Sequence, residues 1–138
     1  VLIDGRPCRP MLTDFGLASL SNINETRRNQ VGTISYMSPE QASDEGEKID
    51  HRTDVFGLGA IFYHLLTGRP PYCPETIKDL HQAATNAEVV PPLQANRLVP
   101  PVLNAICMKC LAREPEDRYA SAAALSEDLK RFSKGEPT

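Results

Sequence analysis

The run Val55-Phe56-Gly57-Leu58-Gly59-Ala60-Ile61-Phe62-Tyr63-His64-Leu65-Leu66 constrains the fold of this chain more than any other stretch. Its apolar residues lie around the whole circumference of a helix and not along one stripe, so the spacing predicts a helix buried on all sides. Such a helix belongs at the centre of a larger helical domain. Thr53 is placed to cap its start, and Thr67-Gly68 followed by Arg69-Pro70-Pro71 supplies a glycine stop with prolines just beyond. Gly57 and Gly59 each cost about 1 kcal/mol against alanine inside a helix, which suggests close packing against another backbone. The run is too short to cross a membrane and reads as a core helix.

Weaker periodic segments follow it. Ile77, Leu80 and Ala84 share one face of a helix expected around Glu75 to Thr85, and Leu103, Ile106, Cys107, Cys110 and Leu111 share one of a helix over Val102 to Ala112. Leu125, Leu129 and Phe132 mark a third, with Ser121 as its cap. Prolines 91, 92, 100 and 101 fall in the connection between the first two. Upstream, Val1 to Ile3 and Met11-Leu12 read as two short extended segments joined at Asp4-Gly5, a small hairpin. The polar stretch from Ala18 to Val31 has no sustained periodicity and is expected to be a long exposed loop.

The remaining composition narrows the function. With 138 residues the chain fits one domain or part of one, and 41% apolar with 24% charged residues argues against wholesale disorder. A net charge of -3 with scattered basic residues lacks the electrostatic footprint of a nucleic-acid binder. No stretch is long and apolar enough for a membrane span, and the opening VLIDGRPCRP has neither the basic nor the apolar region of a signal peptide. Cys8, Cys73, Cys107 and Cys110 are unevenly placed, unlike a disulfide framework, so a reducing, cytoplasmic setting is expected. Cys107-Met-Lys-Cys110 has the separation of half a zinc site, but no second pair follows and both cysteines fall on the apolar helical face, which favours buried thiols.

Five motifs occur in order: Asp14-Phe15-Gly16, Gly32-Thr33, Tyr36-Met37-Ser38-Pro39-Glu40, Asp54-Val55-Phe56-Gly57-Leu58-Gly59, and Arg118 in Glu-Asp-Arg-Tyr. Together they resemble the C-terminal lobe of a protein kinase, from about residue 1 to Phe132. The resemblance implies a mainly α fold, the helical lobe of the α+β kinase architecture with a short N-terminal β-hairpin. A partial kinase domain is expected over 1–133 and the start of a linker or tail over 134–138. Gly32-Thr33-Ile34-Ser35-Tyr36 is similar to the serine/threonine branch. Leu66-Thr67-Gly68-Arg69-Pro70-Pro71-Tyr72, Arg118-Tyr119 and Asp128-Leu129 look most like bacterial kinases of the eukaryotic type. Many of those are membrane-anchored receptors, so the parent is expected to keep its kinase domain cytoplasmic while Lys134-Gly135-Glu136-Pro137 leads toward a linker.

The resemblance also assigns roles. Asp14 is implied as a ligand of the Mg2+ ions that bridge the phosphates of ATP, because a hard cation takes carboxylate oxygen. Without the later motifs, the same aspartate is as well explained as a turn former. Thr33 resembles the threonine that contacts the catalytic aspartate. Residues 17–38 correspond to the activation and substrate-docking loop, with Ser19, Ser21, Thr26, Thr33 and Ser35 as hydroxyl acceptors. Thr26, beside Arg27 and Arg28, is the first choice for phosphorylation, and an ordinary solvated loop is the alternative for each hydroxyl. Glu40 and Arg118 resemble a structural pair, and a long-range ion pair between them is expected. Asp54 resembles the aspartate that hydrogen-bonds the catalytic-loop backbone; a helix N-terminal acid favoured by the dipole is the alternative.

A working kinase also needs a glycine-rich loop, a strand lysine paired with a helix glutamate, and a His-Arg-Asp loop ending in a metal-binding asparagine. These are not among the 138 residues, and Val1 to Asp4 resembles the strand that follows that asparagine. The chain alone is therefore expected to be inactive, with a protein substrate, ATP, the N-lobe and the catalytic loop as its partners. The alternatives are a non-catalytic helical interaction or regulatory module, and a plain helical bundle. Asp14 favours the kinase, since a binding module has no chemical need of it.

Overall fold

The computed structural model describes residues 34–43, 46–72 and 77–138. The hairpin expected near the N-terminus, the whole polar loop from Ala18 to Val31, Asp14, Ser19, Ser21, Thr26 and Thr33 lie outside the described residues. Those described fold as helices joined by short connections: α1 (Pro39–Ala42), a 3-10 turn (Gly46–Lys48), α2 (His51–Thr67), α3 (Ile77–Asn86), α4 (Pro92–Ala95), α5 (Pro101–Cys110), a second 3-10 turn (Pro115–Asp117) and α6 (Ala122–Ser133). No helix among them is long and apolar enough to cross a membrane.

The central helix begins four residues earlier than the apolar run because its cap lies upstream. Asp50 is the N-cap; its carboxylate accepts from the Arg52 backbone N–H at 2.8 Å, while the Thr53 hydroxyl accepts from the Asp50 N–H at 3.4 Å. Thr53 is thus the third helical residue of a reciprocal cap and not the cap itself. At the other end Gly68 takes φ 78°, and its N–H bonds the His64 carbonyl at 2.8 Å, the glycine stop expected from the sequence.

α2 lies against α4, α5 and α6. Phe56, Ala60 and Tyr63 enter one apolar cluster with Ala42, Tyr72, Leu80, Ala84, Cys107 and Leu111. Val55 enters a second with Ile106, Cys110, Tyr119 and Leu125. Burial is not complete around the helix, however. Asp54 is exposed, Leu58 keeps 44% of its surface and Leu65 62%, a stripe at i, i+4 and i+11 that the described residues leave partly open. The apolar pattern announced that the helix is greasy all round; it carried no information on which face the described lobe covers.

The two glycines of α2 also separate. A Cβ on Gly59 would collide with the Cβ of Cys110, so this glycine lets α5 approach, whereas a Cβ on Gly57 would meet nothing. Close packing explains Gly59 and not Gly57. Cys107 and Cys110 are fully buried in the two clusters, and burial pushes both thiols up to about 12. The Cys107 Sγ points at the Gly59 carbonyl at 3.7 Å, tying α5 to α2 at the closest approach.

Side-chain bonds fix the connections that prolines would otherwise leave open. The Tyr63 hydroxyl donates to the Val90 carbonyl at 2.7 Å, Asn96 Nδ2 donates to the Leu66 carbonyl at 3.0 Å, and Asn104 Oδ1 accepts from the Leu93 N–H at 2.9 Å. The first two hold the segment between α3 and α5 onto the central helix and the third ties it to α5, and α4 is a single turn within it. Ser121 caps α6 by accepting from the Ala124 N–H at 3.1 Å, as the sequence suggested. Beyond α3, Ala87 has φ 51°, and the Glu88 N–H reaches back to the Ala83 carbonyl at 3.0 Å. This is a left-handed helix end occupied by a residue with a Cβ.

Three substitutions test these placements by chemical denaturation. Gly59→Ala is expected to cost about 1–3 kcal/mol through overpacking against Cys110. Gly57→Ala is expected to be neutral or to stabilise by up to about 1 kcal/mol, and Ala87→Gly to stabilise because glycine has no left-handed penalty. Equal effects at Gly57 and Gly59 would contradict the asymmetry.

Candidate functional site

The segment entering α1 packs inward. Ile34, Tyr36 and Met37 lie against the larger core cluster, and the Met37 N–H closes a turn to the Ile34 carbonyl at 3.1 Å. Ser38, fully buried, caps α1: its hydroxyl accepts from the Gln41 N–H at 3.4 Å, and Gln41 Oε1 accepts from the Ser38 N–H at 3.1 Å. Pro39 follows as the first helical residue, where its missing N–H costs nothing. This short, strongly specified turn delivers Glu40 into the interior.

Glu40 meets Arg118 there, 78 residues further along the chain. Nη1 of Arg118 donates to Oε2 and Nη2 to Oε1, both at 2.7 Å, with side-chain exposures of 0% and 1%. The remaining guanidinium donors are used as well: Nε to the Ala112 carbonyl at 2.8 Å, Nη1 to that of Arg52 at 3.1 Å, Nη2 to that of Arg113 at 3.0 Å. All five N–H groups are therefore satisfied. The Thr53 hydroxyl donates to Glu40 Oε2 at 2.8 Å, and the Phe56 ring lies 5.0 Å from the guanidinium carbon. One buried cation thus ties α1, the start of α2 and the end of α5 together.

Burial alone pushes the Glu40 carboxyl up, but hydrogen bonds from Arg118 and Thr53 and the arginine charge outweigh it, leaving the group below its ordinary 4.5. A folded pKa below the unfolded one means that this contribution is present in full above about 4.5 and is lost as pH falls through the lowered value.

The other residues singled out from the sequence take different positions. Asp54 is exposed in the first turn of α2, where a carboxylate is favoured by the helix dipole. Ser35, one of the hydroxyls implied as a phosphorylation candidate, is 4% exposed, so it is covered from an outside modifying enzyme. Among the described residues no group of three or more His, Cys, Asp or Glu is placed to hold a metal ion. Two contacts were not read from the sequence. One is the bond between the Tyr36 hydroxyl and His64 Nδ1 at 3.0 Å, for which the signal was an imidazole inside an otherwise apolar helix. The other is the set of carbonyls around Arg118, which backbone geometry alone provides.

Sequence comparison agrees with this arrangement. Residues 1–129 match the protein kinase domain family, and the chain belongs to it. It is 37% identical over 127 residues to the serine/threonine-protein kinase PknB of Mycolicibacterium smegmatis, covering 89% of this chain and 20% of the relative. The PknB of Mycobacterium leprae is 35% identical over 128 residues, 90% of this chain and 20% of that protein. A probable serine/threonine-protein kinase of Clostridium acetobutylicum is 35% identical over 120 residues, 86% and 18% respectively. The chain thus spans about a fifth of the length of the curated relatives it matches. Its similarity is to bacterial kinases of the eukaryotic type, and the described residues are the helical lobe of that fold.

Arg118→Ala is expected to lower the unfolding free energy by about 3–5 kcal/mol, because it leaves the Glu40 carboxylate buried and unpaired. Arg118→Lys should recover little of it, since an ammonium cannot serve a bidentate carboxylate and three carbonyls at once. Urea midpoints identical to wild type in both variants would refute the pair's structural role.

Proposed function

We propose that this chain is the helical-lobe part of a bacterial serine/threonine protein kinase that transfers the γ-phosphoryl group of ATP, with Mg2+, to serine or threonine of a protein substrate. The observation that carries this reading is the buried Glu40–Arg118 pair, formed between two of the motifs that also include Asp14-Phe15-Gly16. An interaction module could use the same ion pair, but it would have no chemical need of Asp14.

In this reading Asp14 is a magnesium ligand, a carboxylate for a hard cation that bridges phosphates. Thr33 contacts the catalytic aspartate, and Asp54 holds the backbone of the catalytic loop. Glu40 and Arg118 act by fixing the lobe and not on the reacting atoms. Thr26 is the favoured activation-loop phosphorylation site, with Ser21 as a second; the burial of Ser35 ranks it below both. The domain occupies 1–133, with a linker beginning at 134. The kinase domain works in the cytoplasm, whether or not its parent is anchored in a membrane.

The test is phosphoryl transfer by the full-length protein to a generic Ser/Thr substrate such as myelin basic protein, with Mg2+ present. Asp14→Asn is expected to abolish transfer while leaving the thermal midpoint within about 1 °C of wild type, because a loop carboxylate that serves a metal adds little to folding. Undiminished transfer by the variant would overturn the assignment of Asp14. The 138-residue chain by itself is expected to give no measurable heat on titration with ATP and Mg2+; micromolar binding would contradict its dependence on the rest of the kinase.

A further inference from the structure

His64 is an ionisable side chain held inside the apolar helix α2, with 1% of its surface exposed. Nδ1 bonds the Tyr36 hydroxyl at 3.0 Å and the two rings stack with centroids 6.4 Å apart, while Nε2 is buried with no partner among the described residues. Tyr36 belongs to the segment that leads into α1, so this contact pins that segment to the central helix. We propose that His64 and Tyr36 form a protonation-sensitive latch, which holds segment 34–38 against α2 while the imidazole is neutral and releases it when the imidazole becomes charged.

The chemistry follows from the number of donors. A neutral imidazole has one N–H and one lone pair, and the Tyr36 hydroxyl can satisfy Nδ1 in either tautomer. An imidazolium has two N–H groups. The second would lie at Nε2, where no described residue offers an acceptor, so charging the ring in the closed state strands a buried cationic donor. Opening the segment admits water and removes that penalty.

The described residues around the ring supply no countercharge. Tyr36 is the titratable group facing the ring from the segment, and burial pushes its phenol up to about 12, so it stays neutral. One turn away on α2 lie Ala60, Ile61, Thr67 and Gly68, all uncharged. The nearby core adds the phenols of Tyr63 and Tyr72, both raised by burial. Of the helices packed on α2, α5 presents the neutral thiols of Cys107 and Cys110, α4 has no titratable residue, and α6 contributes Leu125. Burial lowers the imidazole. The closed state is therefore complete above the ordinary imidazole value of 6.5 and weakens as pH falls below it toward the depressed value. The latch does not rest on the proposed kinase reading.

Amide hydrogen exchange in the full-length protein, corrected for the intrinsic pH dependence of exchange, tests it without any activity readout. Wild-type protection of residues 34–38 should fall by about tenfold per pH unit below 6.5 until the depressed pKa is reached. His64→Gln, which can still accept from Tyr36 but does not titrate, should flatten this dependence, and Tyr36→Phe should reduce protection at neutral pH. Should His64→Gln fail to fold, the wild-type imidazole NMR titration gives a second reading, with a midpoint below 6.5 at the pH where the loss of protection levels off. Wild-type protection that does not change with pH, an unaltered slope in His64→Gln, or a His64 titration that leaves the segment protected would each overturn the latch. None of these results bears on whether the protein transfers phosphate.

Discussion

The Arg118 guanidinium organises the lobe because its five donors point to three separate stretches of chain. Glu40 comes from α1, the Arg52 carbonyl from the first turn of α2, and the Ala112 and Arg113 carbonyls from the chain just past α5. Each contact alone is an ordinary hydrogen bond. Their convergence on one rigid fork makes them interdependent, since displacing any element leaves a buried donor or acceptor unsatisfied. A hydrophobic replacement of similar volume could fill the space, but it would leave the Ala112, Arg113 and Arg52 carbonyls without these donors.

Around that point the core is built by α2, whose two flanks enter different clusters. Phe56, Ala60 and Tyr63 face the side that includes α3, while Val55 faces α6 through Leu125 and Tyr119. Gly59 allows α5 to lie against the helix between them. The α5–α6 junction is closed by polar contacts on Tyr119: its hydroxyl donates to Asp128 Oδ2 at 2.8 Å, and the Lys109 ammonium sits 4.3 Å from its ring. The stripe of Asp54, Leu58 and Leu65 is what remains of α2 once these partners are in place.

The parts of this structure legible in the sequence are those set by local chemistry. Helical period, the Ser121 cap and the Gly68 stop each depend on residues within a turn or two, so their positions could be read directly. The cap of α2 was misplaced by three residues because Thr53 and Asp50 are both good caps, and only the backbone decides which carboxylate or hydroxyl reaches the free N–H groups. The meeting of Glu40 with Arg118 was expected from the order of motifs, not from periodicity. Nothing local distinguished Gly57 from Gly59, or showed that His64 would face Tyr36, because both depend on which neighbour a helix face meets. Asp14 and Thr33 lie outside the described residues, so their roles rest on resemblance.

The separation of 78 residues between Glu40 and Arg118 has a consequence for biosynthesis. A ribosome making this chain releases α1 and α2 well before the arginine that completes their junction emerges. Until then the glutamate must stay hydrated, because burying an unpaired carboxylate is more costly than leaving it in water. The early helices can form and begin to collapse, but α1 cannot settle in its final place. Closure of the lobe is timed to the arrival of its C-terminal quarter, a late, long-range step of the sort that slows folding and prolongs exposure of apolar surface.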